Sequence, residues 1–332
     1  DYGGGFTVEL PELPPGVRAE ILPVRAGDDR VPVVLHAAAE AELVQGLSSL
    51  VSTMQDADGQ AAGSARGGYR QDVELVLGRN RTVFWAHSVD RLPIAVVDAA
   101  PYSIEVQPIA APLVQSGSGQ IVVKLTRKGG FKGRVRLRVP YLPPGVNASQ
   151  GLWIEEGKDE LRIPMDARGN ARLGAGVLVV EAEAYPGQGP LRLSSGLIPL
   201  EVRAPYVRLT MQAASVERGE ATGMHVKVER MPGFKGTAQV QLHGLPHHVS
   251  AAALTLGADG DSLDFSLETQ ADSPLGRHKQ LFCTARFETE EGVVMHRLAA
   301  APLIINAPAP AAVAAAPKPK PVAVEAAVKK PK

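Results

Sequence analysis

The chain has 332 residues, 45% of them apolar, with 35 Lys and Arg balanced by 35 Asp and Glu. Zero net charge excludes the basic excess of a nucleic-acid footprint, and no apolar run approaches the roughly 20 residues of a membrane-spanning helix. A single cysteine, Cys283, excludes a disulfide framework and a cysteine zinc site, while 34 Gly and 27 Pro suit a turn-rich β protein.

The opening run GGFTVELPELPPGV (4–17) has a counterpart in GRVRLRVPYLPPGV (133–146). It lacks the stretch that precedes this run in the later copies, so the chain is expected to begin inside a domain of a longer polypeptide. Ala37–Met54 carries Leu43, Leu47, Leu50, Val51 and Met54 at helical spacing. The repeat register instead aligns Leu43 with Leu173 and Leu275, each followed by Gly and then a strand. A strand at about 47–54 is therefore expected, since tertiary context overrides propensity. Thr82–Val89 reads as a further strand.

The middle and last thirds repeat each other. RKGGFKGRVRLRVPYLPPGVNAS (127–149) aligns with RMPGFKGTAQVQLHGLPHHVSAA (230–252). Ala100-Pro101-Tyr102 answers Ala204-Pro205-Tyr206, and IPLEVRAP (198–205) answers APLIINAP (301–308). A period near 100 residues is the size of one immunoglobulin-like sandwich. Within each copy Ile121–Leu125, Val135–Val139 and Met224–Val228 have strand patterns. Leu142-Pro-Pro-Gly145 ends a strand, because Pro cannot donate to a ladder and Gly permits a tight turn. Glu156–Asp159, Ala258–Asp261, Tyr185–Gly189 and Glu290–Gly292 read as turns. The expected fold is all-β: tandem Ig-like sandwiches over 1–100 (N-terminally truncated), 101–205 and 206–307. Residues 308–332, rich in Ala, Pro and Lys, are expected to form a disordered tail.

Chemistry-bearing residues are scattered. His243 and His247 have the spacing of helical metal ligands, but with His248 they lie on a Leu-Pro turn and read as a loop. His87, Ser88 and Asp90 are the residue types of a hydrolase triad. Neighbours on a strand point to opposite faces, and no nucleophile elbow occurs. Asp56-Ala-Asp58-Gly59 opens like a calcium loop but has Gln60 fifth and Gly67 twelfth, where ligands are required. Ser116–Gly119 and Gly3–Gly5 lack the Lys-Ser/Thr of a phosphate loop and read as turns. Asn80 and Asn147 head glycosylation sequons, which read as silent. Cys283 reads as a buried, inert thiol, and Trp85 and Trp153 as core or edge aromatics. No catalytic, cofactor-binding or metal-ligating residue is expected. Calcium at a junction through Asp28, Asp29, Asp259 or Asp261 is kept as an alternative.

GFKG-x-VRLR-x-x-YLPPGV, YRQDVELVLGRNRTVFWAHSVDRLPIAV (69–96) and ADSPLGRHKQLFC (271–283) resemble the C-terminal Ig-like region of large exported bacterial proteins that carry pre-peptidase C-terminal (PPC) domains. The resemblance implies sandwich modules, export and no catalysis. The expected function is a non-catalytic spacer and adhesion region. Its partners would be other domains of the parent polypeptide and cell-surface protein or polysaccharide. The alternative is a glycan- or calcium-binding accessory module of a secreted peptidase or other hydrolase. Exposed edge strands could also pair with another copy.

Overall fold

A computed structural model describes residues 4–25, 27–56, 60–187, 189–232 and 236–308. The basic tail, Gly233–Lys235 of the third-copy GFKG motif, Gly3 and the Ala57–Gly59 part of the calcium-like loop lie outside the described residues.

The structure is all-β. The first repeat holds β1 (Phe6–Glu9), β2 (Val17–Ile21), β3 (Val33–Ala37), β4 (Gln45–Ser48), β5 (Val51–Gln55), β6 (Ala61–Gly68), β7 (Gln71–Leu77), β8 (Val83–Val89) and β9 (Leu92–Ala95). The second holds β10 (Tyr102–Gln107), β11 (Leu113–Val114), β12 (Gly117–Arg127), β13 (Val135–Tyr141), β14 (Val146–Ala148), β15 (Leu152–Ile154), β16 (Glu160–Ala167), β17 (Gly174–Gly187), β18 (Gly189–Ser194) and β19 (Ile198–Arg203). The third holds β20 (Val207–Met211), β21 (Ala214–Glu217), β22 (Ala221–Arg230), β23 (Ala238–His243), β24 (Val249–Ser250), β25 (Leu254–Leu256), β26 (Ser262–Thr269), β27 (Gly276–His278), β28 (Phe282–Thr289), β29 (Gly292–Ala300) and β30 (Leu303–Asn306).

Period-2 burial explains the second and third repeats. Ile121, Val123 and Leu125 of β12 are buried, as are Val135, Leu137 and Val139 of β13. In each strand these side chains share a pleat face, with Val122 and Lys124 of β12 and Arg136 and Arg138 of β13 on the other. In the second repeat β10, β12, β16 and β14 form one layer, and β11, β19, β17, β13 and β15 the other, with β18 added on β17. One apolar cluster from Tyr102 to Val202 fills the space between them. The third repeat repeats the plan with β20, β22, β26 and β24 in one layer, over a cluster containing Phe265, Leu267 and Phe287. Both copies also share the parallel pairings β11 with β19 and β21 with β30. Tyr102 is buried in the second core, where its hydroxyl donates to the Leu191 carbonyl at 2.7 Å. Burial raises its pKa to about 12. After β13 the chain reverses at Gly145 with φ +84°, a conformation that favours glycine.

The first repeat follows the same plan with one part missing and one added. Its β1–β5–β6, β2–β3 and β4–β9 pairings reproduce β13–β17–β18, β14–β16 and β17–β19. Residues 45–55 are strand rather than helix, broken at Ser49-Leu50. Counterparts of β10, β11 and β12 are absent among the described residues. The added part is β7 and β8, which pair with each other as a two-stranded sheet between β6 and β9. The other two repeats have no such hairpin there. It makes Trp85, 60% exposed beside Phe84 at 72%, an edge aromatic and not a core one. The Ser116–Gly119 reading is corrected. The turn residue is Ser116, with φ +58°, whereas Gly117 and Gly119 lie inside β12.

Candidate functional site

Two repeats are joined by backbone. The N-terminal end of β12 pairs antiparallel with β29 of the third repeat, Gly117 opposite His296 and Ser118 opposite Met295. Beside this pairing, the Arg297 amide donates to the Ser116 carbonyl at 2.7 Å. The result is a single eight-stranded sheet that includes β14, β16, β12, β29, β28, β23 and β25, with β10 on β12. Gly117 permits the approach. A Cβ there would lie 2.7 Å from the carbonyl oxygens of both Met295 and Val114.

Side chains close the seam. His296 is fully buried, with its ring edge-on to Phe287 at 5.1 Å between centroids and tilted on Tyr206 at 5.6 Å. Its Nε2 accepts the Tyr206 backbone N–H at 3.3 Å, which puts the neutral ring's proton on Nδ1. No hydrogen-bond partner meets Nδ1. Burial pushes the His296 pKa down to about 4. At the rim, Arg203 holds Glu291 of the third repeat at 2.7 Å and its own neighbour Glu201 at 2.9 Å. These hydrogen bonds raise the Arg203 pKa and lower that of Glu201. The ion pairs are half exposed, so each adds at most about 1 kcal/mol. The apolar and backbone contacts carry the junction.

Sequence patterning did not single out His296. The available signal was a histidine in core phase on an apolar strand, where the second repeat carries Leu193. The sequence-derived candidates do not converge. His243 ends a strand rather than lying in a loop, stacks on Phe282 at 5.2 Å and contacts Thr284 Oγ1 at 2.8 Å. His247 and His248 are adjacent rings 3.8 Å apart, and His248 Nδ1 lies 2.6 Å from Asp272. On the hairpin, Ser88 donates to Asp72 across the ladder, while His87 sits opposite Val73. Asp28 is ion-paired with Arg172 of the second repeat, so it faces a cation instead of an open junction. Trp153 is half-buried, with the Arg134 guanidinium 4.3 Å from its ring centroid. Phe84 and Trp85 are consecutive on β8 at a shift of register, where Trp85 sits opposite Val76 and Val83 opposite Leu77. Among the described residues no group of three or more His, Cys, Asp or Glu could hold a metal ion. No helix there is long and apolar enough to cross a membrane.

Cys283 is fully buried on β28 with its Sγ 3.5 Å from Met211 Sδ. Burial raises its pKa to about 12. A thiol held neutral and covered is unreactive. In the native chain, a disulfide reagent at pH 8 is expected to modify Cys283 at least about 100-fold more slowly than in denaturant. Comparable rates would show that the third core opens readily.

No protein-family model matches the chain, and no curated protein matches it. Solved structures similar to parts of it include the Yersinia pseudotuberculosis adhesin InvE, at 15% identity over 60% of this chain and 58% of that one, with a TM-score of 0.22. Fibronectin(III)-like modules of Clostridium thermocellum CbhA match at 10% identity over 62% of this chain and 95% of theirs, with a TM-score of 0.21. Domains 1–6 of the surface layer protein SbsC match at 11% identity over 93% of this chain and 51% of that one, with a TM-score of 0.23. Likenesses at this level carry nothing about function.

Proposed function

We propose that the chain is a non-catalytic spacer and adhesion region of an exported multidomain protein that also carries PPC domains. In this reading it comprises three Ig-like domains, at about 1–100, 101–205 and 206–307. The observation that carries the reading is the sheet that runs unbroken from the second repeat into the third. A linker lets two sandwiches swivel, whereas a shared ladder fixes their angle, because bending it breaks backbone hydrogen bonds and exposes buried groups. A fixed angle suits a part whose task is to set distance. Adhesive contacts would come from loops and sheet faces, with cell-surface protein or polysaccharide as partners.

Spin labels at Lys158→Cys and Asp259→Cys, both exposed turn positions in different repeats, test this by pulsed dipolar spectroscopy. Buried Cys283 stays unlabelled. One narrow distance distribution is expected. A broad or bimodal distribution would remove the rigid-spacer reading.

A further inference from the structure

The second and third repeats, both with a full set of layer strands, use one end of the sandwich differently. Gly174 lies opposite Val202 and Gly276 opposite Ile305, which equates Ala175, Gly176 and Val177 with Arg277, His278 and Lys279. In the second repeat these small residues wall a cleft of about 250 Å³ whose other side is Leu22, Pro23 and Val24 of the first. In the third repeat the same stretch lines two open grooves, of about 440 and 630 Å³, that share Gly244, Lys279 and Gln280. Every residue lining them belongs to the third repeat. A small, apolar face that receives a neighbouring repeat has become a basic one that receives none among the described residues.

The groove is built on fixed parts. Gly244, with φ +73°, crosses the chain so closely that a Cβ there would overlap the Gln280 carbonyl oxygen. Arg297 stands at the other end. Its guanidinium lies 4.2 Å from the centroid of the Phe282 ring, on which His243 also stacks at 5.2 Å. A guanidinium laid on a ring keeps its edge N–H groups for another partner.

The charge is uncompensated. The ion pairs of the third repeat join His225 to Asp264, His248 to Asp272, Arg286 to Glu288 and Glu291 to Arg203. Among the described residues none uses Arg277, Lys279 or Arg297, and no Asp or Glu lines either groove. His278 is tied to the Pro274 carbonyl at 2.9 Å.

These three cations are spread along an open groove instead of converging on one point, so the fitting ligand is an extended chain with spaced negative charges. Residues 308–332 carry five Lys and one Glu, the same sign as the groove, and are not that chain. Single-stranded nucleic acid stacks its bases on free aromatic faces, and Phe282 is already covered. An acidic peptide also needs apolar anchor pockets, and Leu281 beneath the groove is fully buried. A polysaccharide needs only partners for its carboxylates and hydroxyl groups, and Gln280 is exposed between the cations.

We infer that this groove binds an acidic polysaccharide, with Arg277, Lys279 and Arg297 pairing its carboxylates and Gln280 bonding its hydroxyl groups. The inference rests on the adhesion part of the function proposed above and names its site and ligand class.

The test titrates the full chain with polygalacturonate and follows binding by calorimetry. Saturable binding is expected, weakened about tenfold or more between about 50 mM and about 500 mM salt. The methyl ester of the same polymer, which lacks the charge, should not bind. Arg277→Gln with Lys279→Gln, both exposed positions, should weaken binding about tenfold. Arg208→Gln with Lys227→Gln removes the same charge from β20 and β22, in the other layer, and should leave binding within about twofold. Equal losses in the two double variants, binding of the methyl ester, tighter binding of polyglutamate or no binding at all would each overturn the inference. Binding that survives Arg277→Gln with Lys279→Gln would also overturn it, while leaving adhesion through another surface standing. The spin-label distances are read without ligand, so a failure of the rigid-spacer reading is seen separately.

Discussion

Acidification from pH 6.5 to pH 4 is expected to remove about 3 kcal/mol of stability through His296 alone. The folded pKa of about 4 lies below the ordinary 6.5, and each unit of difference is worth about 1.4 kcal/mol. Between these values the unfolded chain binds the proton and the folded chain does not, so stability falls as pH falls. The contribution is fully present above pH 6.5 and is lost as pH drops through the folded value. A second proton on the ring would add charge in a pocket walled by Phe287 and Tyr206, where Nε2 already accepts the Tyr206 amide. Carboxylates titrate in the same range, so the decisive quantity is a difference. Denaturant unfolding of the native chain and of His296→Gln, at pH 7 and pH 4.5, should show the native chain losing more. Parallel pH profiles would mean that the ring is not held neutral by burial.

Gly117→Ala should open the seam at a cost of about 1–3 kcal/mol. The added methyl would meet two carbonyl oxygens at 2.7 Å, and those belong to backbone. The nearest atom, 2.5 Å away, is Val114 Cγ2, which belongs to the cluster that fills the third repeat, so the seam and the packing of β11 on it should loosen together while the second core from Tyr102 to Val202 stays folded. The spin-label distribution between positions 158 and 259 should broaden, and thermal unfolding should split into two transitions. Gly223→Ala is the control, since nothing lies within 4 Å of a Cβ there. A narrow distribution in Gly117→Ala would show that the ladder between β12 and β29 does not set the angle.

The sequence by itself determined the repeat, the all-β class and most turns. These are local properties. Alternation of Val135, Leu137 and Val139 needs only the two-residue period of a strand, and Leu142-Pro-Pro-Gly145 ends it whatever lies opposite. Cys283 was legible too, because it shares a pleat face with the apolar Ala285 and Phe287. Other features were decided by tertiary structure, since they depend on which strands meet. Trp85 read as a core or edge aromatic, and only the pairing decides between them: its strand belongs to a two-stranded hairpin inserted into the repeat plan. His296 carries no motif; burial comes from Tyr206 and Phe287, and its position at the seam from Gly117, far away in sequence. Leu35 is 36% exposed on β3, which among the described residues pairs with β2 alone. Local pattern assigns each side chain to a face. Only pairing between distant strands decides whether that face is covered.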